Sequence, residues 1–229
     1  MLESQKSDSF SLKYRLTRLI FFLPSFPFVK KIMGFQNLPG SGPFIIASNH
    51  SSHFDWIVLL IYLTRYLKRH VHFFSTIKYA SNPLFKYLVK TSQGIWMDPK
   101  EPARSLYVGL QFLKHGKIVV VFPEGTRSPD GKIRKGKTGV AALALLAKVP
   151  VVPVGLINTH KVLPRGAAFF RLARCEANIG KPLTFDNYYK DYEEAVDQND
   201  LDRVLEIEET VVRIIMREIA KLSNQEYPF

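Results

Sequence analysis

The sequence predicts an α/β protein built on a single mixed, mostly parallel sheet flanked by helices, with an N-terminal membrane-associating helical segment. Three observations lead there. Short runs rich in Val, Ile and Phe alternate with longer segments of helical spacing, the pattern of one sheet covered by helices. Residues 117–122 read Lys-Ile-Val-Val-Val-Phe, the unbroken apolar run of a strand buried on both faces. At 229 residues the chain is long enough for one sizeable core and short for two full domains.

Residues 1–9 are polar and read as a flexible terminus. Residues 10–34 set Lys13, Arg15, Arg18, Lys30 and Lys31 around an apolar run over 19–29. Crossing a bilayer takes about 20 apolar residues, and this run is shorter and interrupted by Pro24 and Pro27. Basic flanks around aromatic and aliphatic side chains suit a helical segment lying in a membrane interface. The competing reading packs the same residues on the protein's own core.

Residues 35–185 hold the α/β core. A turn-rich entry over 34–43 leads to a buried strand at 43–48 and a buried helix from Trp56 that ends near Lys68. Residues 70–75 alternate like a strand, Asn82-Pro83 opens a helix to Lys90, and 94–97 make a short strand. A helix over about 103–113 closes at His115-Gly116 and leads to the strand at 117–122. Residues 139–157 resemble a membrane span until their composition is read, because Ala and Leu give way to Val and Pro. A helix closing at Lys148 and a strand after Pro150 fit better, since Pro150 and Pro153 would break a spanning helix. Residues 173–179 alternate as a last strand. Residues 186–229 form an acidic helical extension of the same domain, with Leu201, Val204, Leu205, Val211, Val212, Ile215 and Ile219 at helical spacing.

Composition narrows the functional classes. Hydrophobic residues make up 46% of the chain, which excludes disorder, and a mean hydropathy of -0.03 argues against a multi-span membrane protein. The single cysteine, Cys175, excludes an internal disulfide and a Cys-based zinc site and reads as a small buried hydrophobe. The net charge of +12 is uneven: residues 1–185 carry 27 Lys and Arg against 8 Asp and Glu, and residues 186–229 carry 5 against 12. The body therefore faces anions, whether nucleic acid, lipid headgroups or a phosphorylated substrate.

Two polar knots interrupt the apolar pattern, Asn49-His50-Ser51-Ser52-His53-Phe54-Asp55 and Phe122-Pro123-Glu124-Gly125-Thr126-Arg127-Ser128. In the first, a neutral His50 whose ring is held by Asp55 has the make-up of a general base. Asp55 as a helix cap beside a loop histidine reads equally well at this point. A metal site from His50, His53 and Asp55 lacks a second cluster of ligands. Ser51 and Ser52 stand outside any nucleophile elbow, which argues against a covalent acyl-serine. In the second knot Arg127 can grip a phosphate in bidentate fashion, with the amides of Gly125 and Thr126 as further donors. Lys132, Arg134, Lys135 and Lys137 follow closely. A polar hairpin with a solvated basic rim is the plain alternative. Nucleic acid is disfavoured, since no recognition helix or stacking motif accompanies the charge.

Taken together, the knots resemble the blocks of the glycerolipid acyltransferases, the family of 1-acylglycerol-3-phosphate and glycerol-3-phosphate acyltransferases. Residues 49–55 resemble its N-H-x4-D block and residues 122–128 match its F-P-E-G-T-R-S block in full. Val149-Pro150-Val151-Val152-Pro153-Val154 resembles its later Val/Ile-Pro-Val block, Ile179-Gly180-Lys181-Pro182 its closing strand-Gly-x-Pro, and Lys78 falls where the family commonly has a lysine. One block departs: where the family closes a Gly-led strand with arginine, residues 94–100 end in Lys100, leaving that lysine, or Arg104 one helical turn on, to take its place.

The resemblance implies a membrane-surface acyltransferase that moves a fatty acyl chain from a thioester, acyl-CoA or acyl-carrier protein, to the free hydroxyl of 1-acylglycerol 3-phosphate, giving phosphatidate. It implies His50 as the base and Asp55 as its orienting partner. Arg127, Gly125, Thr126, Glu124, Lys100 and Lys78 would hold the acceptor's phosphate, with Asn49, Ser51, Arg104 and Lys137 in support. No metal or other cofactor is expected. The partners expected are a lysophospholipid, the acyl donor and an anionic membrane, and the expected place is the cytoplasmic face, peripheral or monotopic. Acylation of glycerol 3-phosphate or another lysolipid is the nearest alternative; a non-catalytic lipid-binding scaffold or a thioesterase is the alternative of another class.

Overall fold

The structure, a computed structural model, describes residues 12–167 and 169–229. The terminus expected over 1–9 lies outside the described residues. The elements run α1 (Leu12–Ser25), β1 (Val29–Met33), β2 (Phe44–Ser48), α2 (Phe54–Leu67), β3 (Val71–Thr76), α3 (Pro83–Thr91), β4 (Ile95–Met97), α4 (Pro102–Lys114) and β5 (Ile118–Val121). They continue as α5 (Gly139–Ala147), β6 (Val151–Ile157), α6 (Thr159–Val162), β7 (Cys175–Ile179), α7 (Asp186–Asp197) and α8 (Leu201–Leu222).

The strands form one seven-stranded sheet in the order β1-β7-β6-β2-β5-β3-β4. Every neighbouring pair is parallel except β6 and β7, so the expected mixed, mostly parallel sheet is what the chain builds. The central β2 explains the unbroken apolar runs. All five of its residues are buried, and they serve two cores in alternation. Phe44 and Ile46 pack with α2 on one face, while Ile45 and Ala47 pack with α5 and α8 on the other. A strand covered on both faces has no polar side to show.

The N-terminal segment divides its two faces between the two readings the sequence leaves open. One face of α1 packs on the core: Tyr14 is buried against His70, Phe21 meets Trp56 edge-on at 5.4 Å, and Phe22 meets Tyr62 at 6.0 Å. The other face exposes Leu12, Leu16, Leu19, Ile20 and Leu23, a stripe at helical spacing, continued by Phe26 just past the helix end. Pro24 sits in the last turn, where little of the hydrogen-bond ladder remains to be lost. Among the described residues no helix is long and apolar enough to cross a membrane.

One element differs from expectation. The helical segment predicted to reach residue 34 stops at Ser25, and Val29–Met33 joins the sheet as edge strand β1 beside β7. Its two consecutive lysines hide the strand pattern, and such charge is what an edge strand carries; Lys30 pairs with Glu176 at 2.8 Å. The acidic extension begins with α7, a helix whose apolar face is little more than Tyr192 and Ala195. It then continues into α8, which packs Val211, Ile215, Met216 and Ile219 on the sheet.

The end of α8 reaches the sheet over a glycine. A Cβ at Gly155 of β6 would stand 2.2 Å from the Leu222 carbonyl carbon and 2.4 Å from the Ser223 nitrogen. Asn178 of β7 donates to Leu222 O at 2.8 Å across the same contact. Gly155→Ala should therefore lower stability by about 1–3 kcal/mol, read as a lowered Tm in thermal unfolding. An unchanged Tm would show that α8 does not close on β6 there.

Candidate active site

β2 and β5 are adjacent and parallel, with Ala47 beside Val121 in register. The loops leaving their carboxyl ends, which carry the two polar knots, are therefore side by side, where open α/β sheets place their ligands. The main chain of His50 stitches them together. Its N–H donates to Glu124 Oε1 at 2.8 Å, and its carbonyl accepts from Ser128 N at 2.7 Å. Asn49 fixes the same loop to β6 on the other side, exchanging two hydrogen bonds with the Leu156 backbone at 2.7 and 2.9 Å.

The side chain of His50 is held as firmly as its backbone. Nδ1 lies 2.8 Å from Asp55 Oδ2, and the same oxygen accepts from Ser51 N at 2.7 Å and Ser52 N at 2.8 Å. Asp55 thus holds the imidazole and closes the turn ahead of α2; it stands inside the first turn, while the N-cap position is His53 with no side-chain cap, so the helix-cap reading does not hold. The carboxylate is fully buried in the first turn of the helix, where the positive end of the helix dipole favours its charge. The imidazole stacks on Phe122, centroids 4.0 Å apart at 15°. With Nδ1 donating to the carboxylate, Nε2 is left with a lone pair for a proton.

His50 lines a groove of about 760 Å³. Its lining combines apolar side chains, among them Trp56, Leu60, Phe73, Leu88, Leu106 and Leu143, with the cations Lys78, Arg127, Lys137 and Arg165. His53 also faces the groove. Burial, then the nearby positive charge of Arg127, push its pKa down to about 4, so it stands neutral near pH 7 as a donor or acceptor without charge. Cys175 is fully buried and its thiol is pushed up to about 12 by that burial, an inert core residue.

The residues singled out in the sequence divide here. Arg127, Thr126, Lys78 and Lys137 line the groove beside His50. Gly125 does too, but its amide is taken by Phe122 O at 3.0 Å and does not reach outward. Its positive φ of 68° and the Lys137 stem, 3.1 Å from where a Cβ would sit, are what require glycine. Glu124 is no phosphate ligand: it is buried beneath the loop, holding His50 N with one oxygen and Arg134 N with the other at 3.2 Å. Ser51 and Ser52 are buried and bonded to Thr159 and to Leu163 O. Lys100 and Arg104 lie off the groove, where Arg104 pairs with Glu101 at 3.3 Å and Asp98 and Pro99 form the wall instead. Arg165 was not singled out, although three arginines at 165, 171 and 174 around Phe169-Phe170 are a visible signal.

Residues 30–157 match the family described as Acyltransferase. The chain is 35% identical over 147 residues to a chloroplast 1-acyl-sn-glycerol-3-phosphate acyltransferase of Brassica napus, covering 62% of this chain and 41% of the relative. It is 28% identical over 155 residues to the 1-acyl-sn-glycerol-3-phosphate acyltransferase of Bacillus subtilis, covering 67% and 73%. The chain spans about two fifths of the length of its plant chloroplast relatives. The crystal structure of the 1-acyl-sn-glycerophosphate acyltransferase PlsC from Thermotoga maritima shares the fold at a TM-score of 0.69. That match has 23% identity and covers 94% of this chain and 80% of the other.

Burial is the main cause that lifts the Glu124 carboxyl to about 7 from its ordinary 4.5; the charge of Asp55 adds to it and the two backbone donors oppose it. A carboxyl raised on folding contributes stability below its unfolded pKa and loses it as pH rises through the folded one. Glu124→Gln should remove the part of the stability slope that falls between about pH 4.5 and 7. It should also cost about 1–3 kcal/mol by leaving one of the two N–H groups without an acceptor. Urea unfolding across that pH range measures both; the wild-type slope in the variant would contradict the assignment.

Proposed function

The chain belongs to the Acyltransferase family, and from that premise we propose that it acylates 1-acylglycerol 3-phosphate at a membrane surface, giving phosphatidate. One observation carries the reading: an oriented imidazole stands in a groove lined by both cationic and apolar side chains. A lysophospholipid with an acidic headgroup offers both complements, an anion and an acyl chain, and so does a long-chain acyl-CoA. The curated relatives are named for this activity.

His50 Nε2 takes the proton of the acceptor's free hydroxyl as its oxygen attacks the thioester carbonyl. The tetrahedral intermediate collapses, the C–S bond breaks, and the imidazolium returns its proton to the departing thiolate. Asp55 stabilises the imidazolium between those steps. The hydroxyl attacks directly, and no acyl-enzyme forms. Arg127 holds the acceptor's phosphate, assisted by Lys78, Lys137 and the side chain of Thr126 on the same wall. The exposed stripe of α1 supports a seat on the membrane, and the reading takes that seat to be peripheral or monotopic, on the cytoplasmic face.

Mixed lysolipids offered with mixed acyl-CoA and acyl-carrier-protein donors, with products identified by mass spectrometry, test the substrate class. Phosphatidate should dominate. Equal acylation of phosphate-free acceptors, or free fatty acid released without any acceptor, would overturn the reading. Arg127→Ala should raise KM for 1-acylglycerol 3-phosphate roughly tenfold or more, as expected for loss of a charged hydrogen bond. Arg127→Lys should recover only part of this, since it lacks the planar fork.

A further inference from the structure

The described residues between Leu163 and Cys175 form neither helix nor strand, and backbone hydrogen bonds hold them at three points. Ala167 N donates to Pro164 O at 3.0 Å, Arg171 N to Val162 O at 2.8 Å, and Ala173 N to Arg171 O at 2.7 Å. Phe170, 38% exposed, packs the rest of its surface on the core, with ring centroids 4.9 Å from Phe28 and 5.4 Å from Phe54. Its neighbours face the other way. Phe169 is 84% exposed and Leu172 fully so. An aromatic and an aliphatic side chain held out into solvent on a hydrogen-bonded loop call for a partner.

Charge identifies that partner's sign. Arg165, Arg171 and Arg174 surround the two apolar side chains, and no Asp or Glu occurs in the 131–175 stretch. Position identifies its kind. Phe28, on which Phe170 rests, follows directly on the end of α1, whose exposed row finishes at Leu23 and Phe26. The loop therefore continues an apolar surface that begins on the helix, and apolar side chains among arginines suit the boundary between acyl chains and anionic headgroups. Arg165, at the near end of the loop, lines the groove that holds His50.

We propose that Arg165 and residues 169–174 form a second membrane-docking element, separate from α1, which inserts Phe169 and Leu172 into an anionic bilayer beside the mouth of the groove. The inference builds on the membrane-surface reading of α1 but rests on different residues. With two points of contact, the bilayer position of the groove is fixed in orientation as well as depth, so that an acceptor entering from the lipid meets Arg165 first.

Co-sedimentation of the full chain with phosphatidylcholine vesicles, with and without one quarter phosphatidylglycerol, tests it. Two double variants avoid every residue placed in the groove: Phe169→Ser with Leu172→Ser, and Arg171→Gln with Arg174→Gln. All four side chains are exposed, so both variants should keep the wild-type Tm and the wild-type rate in detergent micelles. The arginine variant should bind the anionic vesicles about 30-fold more weakly, from about 1 kcal/mol for each charge, with little change on neutral vesicles. The apolar variant should lose about tenfold or more on both. Wild-type binding by both variants would overturn the loop's role while leaving α1 intact. Failure of the wild-type protein to bind either vesicle would overturn the membrane-surface reading itself. Normal vesicle binding with loss of carrier-protein-dependent transfer in detergent would reassign the loop to an acidic protein and likewise overturn the proposal.

Discussion

Asp55 is a fully buried carboxylate, and its Oδ2 accepts hydrogen bonds from His50 Nδ1 and from the amides of Ser51 and Ser52. A charge taken out of water is costly unless donors replace the lost hydration. Here three consecutive residues supply the donors, all to Oδ2, while Oδ1 is buried without a hydrogen-bond partner among the described residues. That concentration explains the fixed spacing between His50 and Asp55. The chain has to turn through 50–52 for the amides to reach the oxygen, and the same turn brings the imidazole onto it. Tautomer, ring orientation and helix start are thus set by one group.

The sheet supplies the second half of the arrangement. Because β2 and β5 are parallel neighbours, the base and the cationic loop leave the same edge of the sheet without any long-range adjustment. Glu124 then ties the loops together through the His50 main chain. A carboxylate in the middle of a cationic loop looks, in the sequence, like part of the ligand site. In the structure it is a buried clamp between the two loops, and the charges that line the groove include Arg127, Lys78, Lys137 and Arg165.

Much of this was legible in the residues. The buried parallel strands declare themselves because both faces of β2, β5 and β6 are covered, so composition alone marks them. The two polar knots stand out for the opposite reason, as hydrogen-bonding side chains inside an apolar pattern. What escaped notice depends on long-range partners. β1 is a strand only because β7 lies beside it, and its Lys30-Lys31 pair reads locally as a basic flank. Position along the chain suggests Lys100 and Arg104, but their neighbours Asp98, Pro99, Pro102, Ala103 and Ser105 line the groove and these two side chains do not. Arg165 reaches the groove from a loop with no periodicity, so only its three-dimensional setting brings it to the site.

The arrangement as a whole sets an oriented imidazole in a groove lined by cationic and apolar side chains, on a protein whose α1 offers further apolar surface outside. The proposed function turns on proton transfer through His50. The most direct test is the initial rate of acyl transfer from a long-chain acyl-CoA to 1-acylglycerol 3-phosphate in detergent micelles, comparing wild type with His50→Ala at matched folded concentration. Loss of the general base predicts a rate lower by about 100- to 10,000-fold. A variant that transfers at the wild-type rate would contradict the role given to His50 and, with it, the reason for the Asp55 geometry.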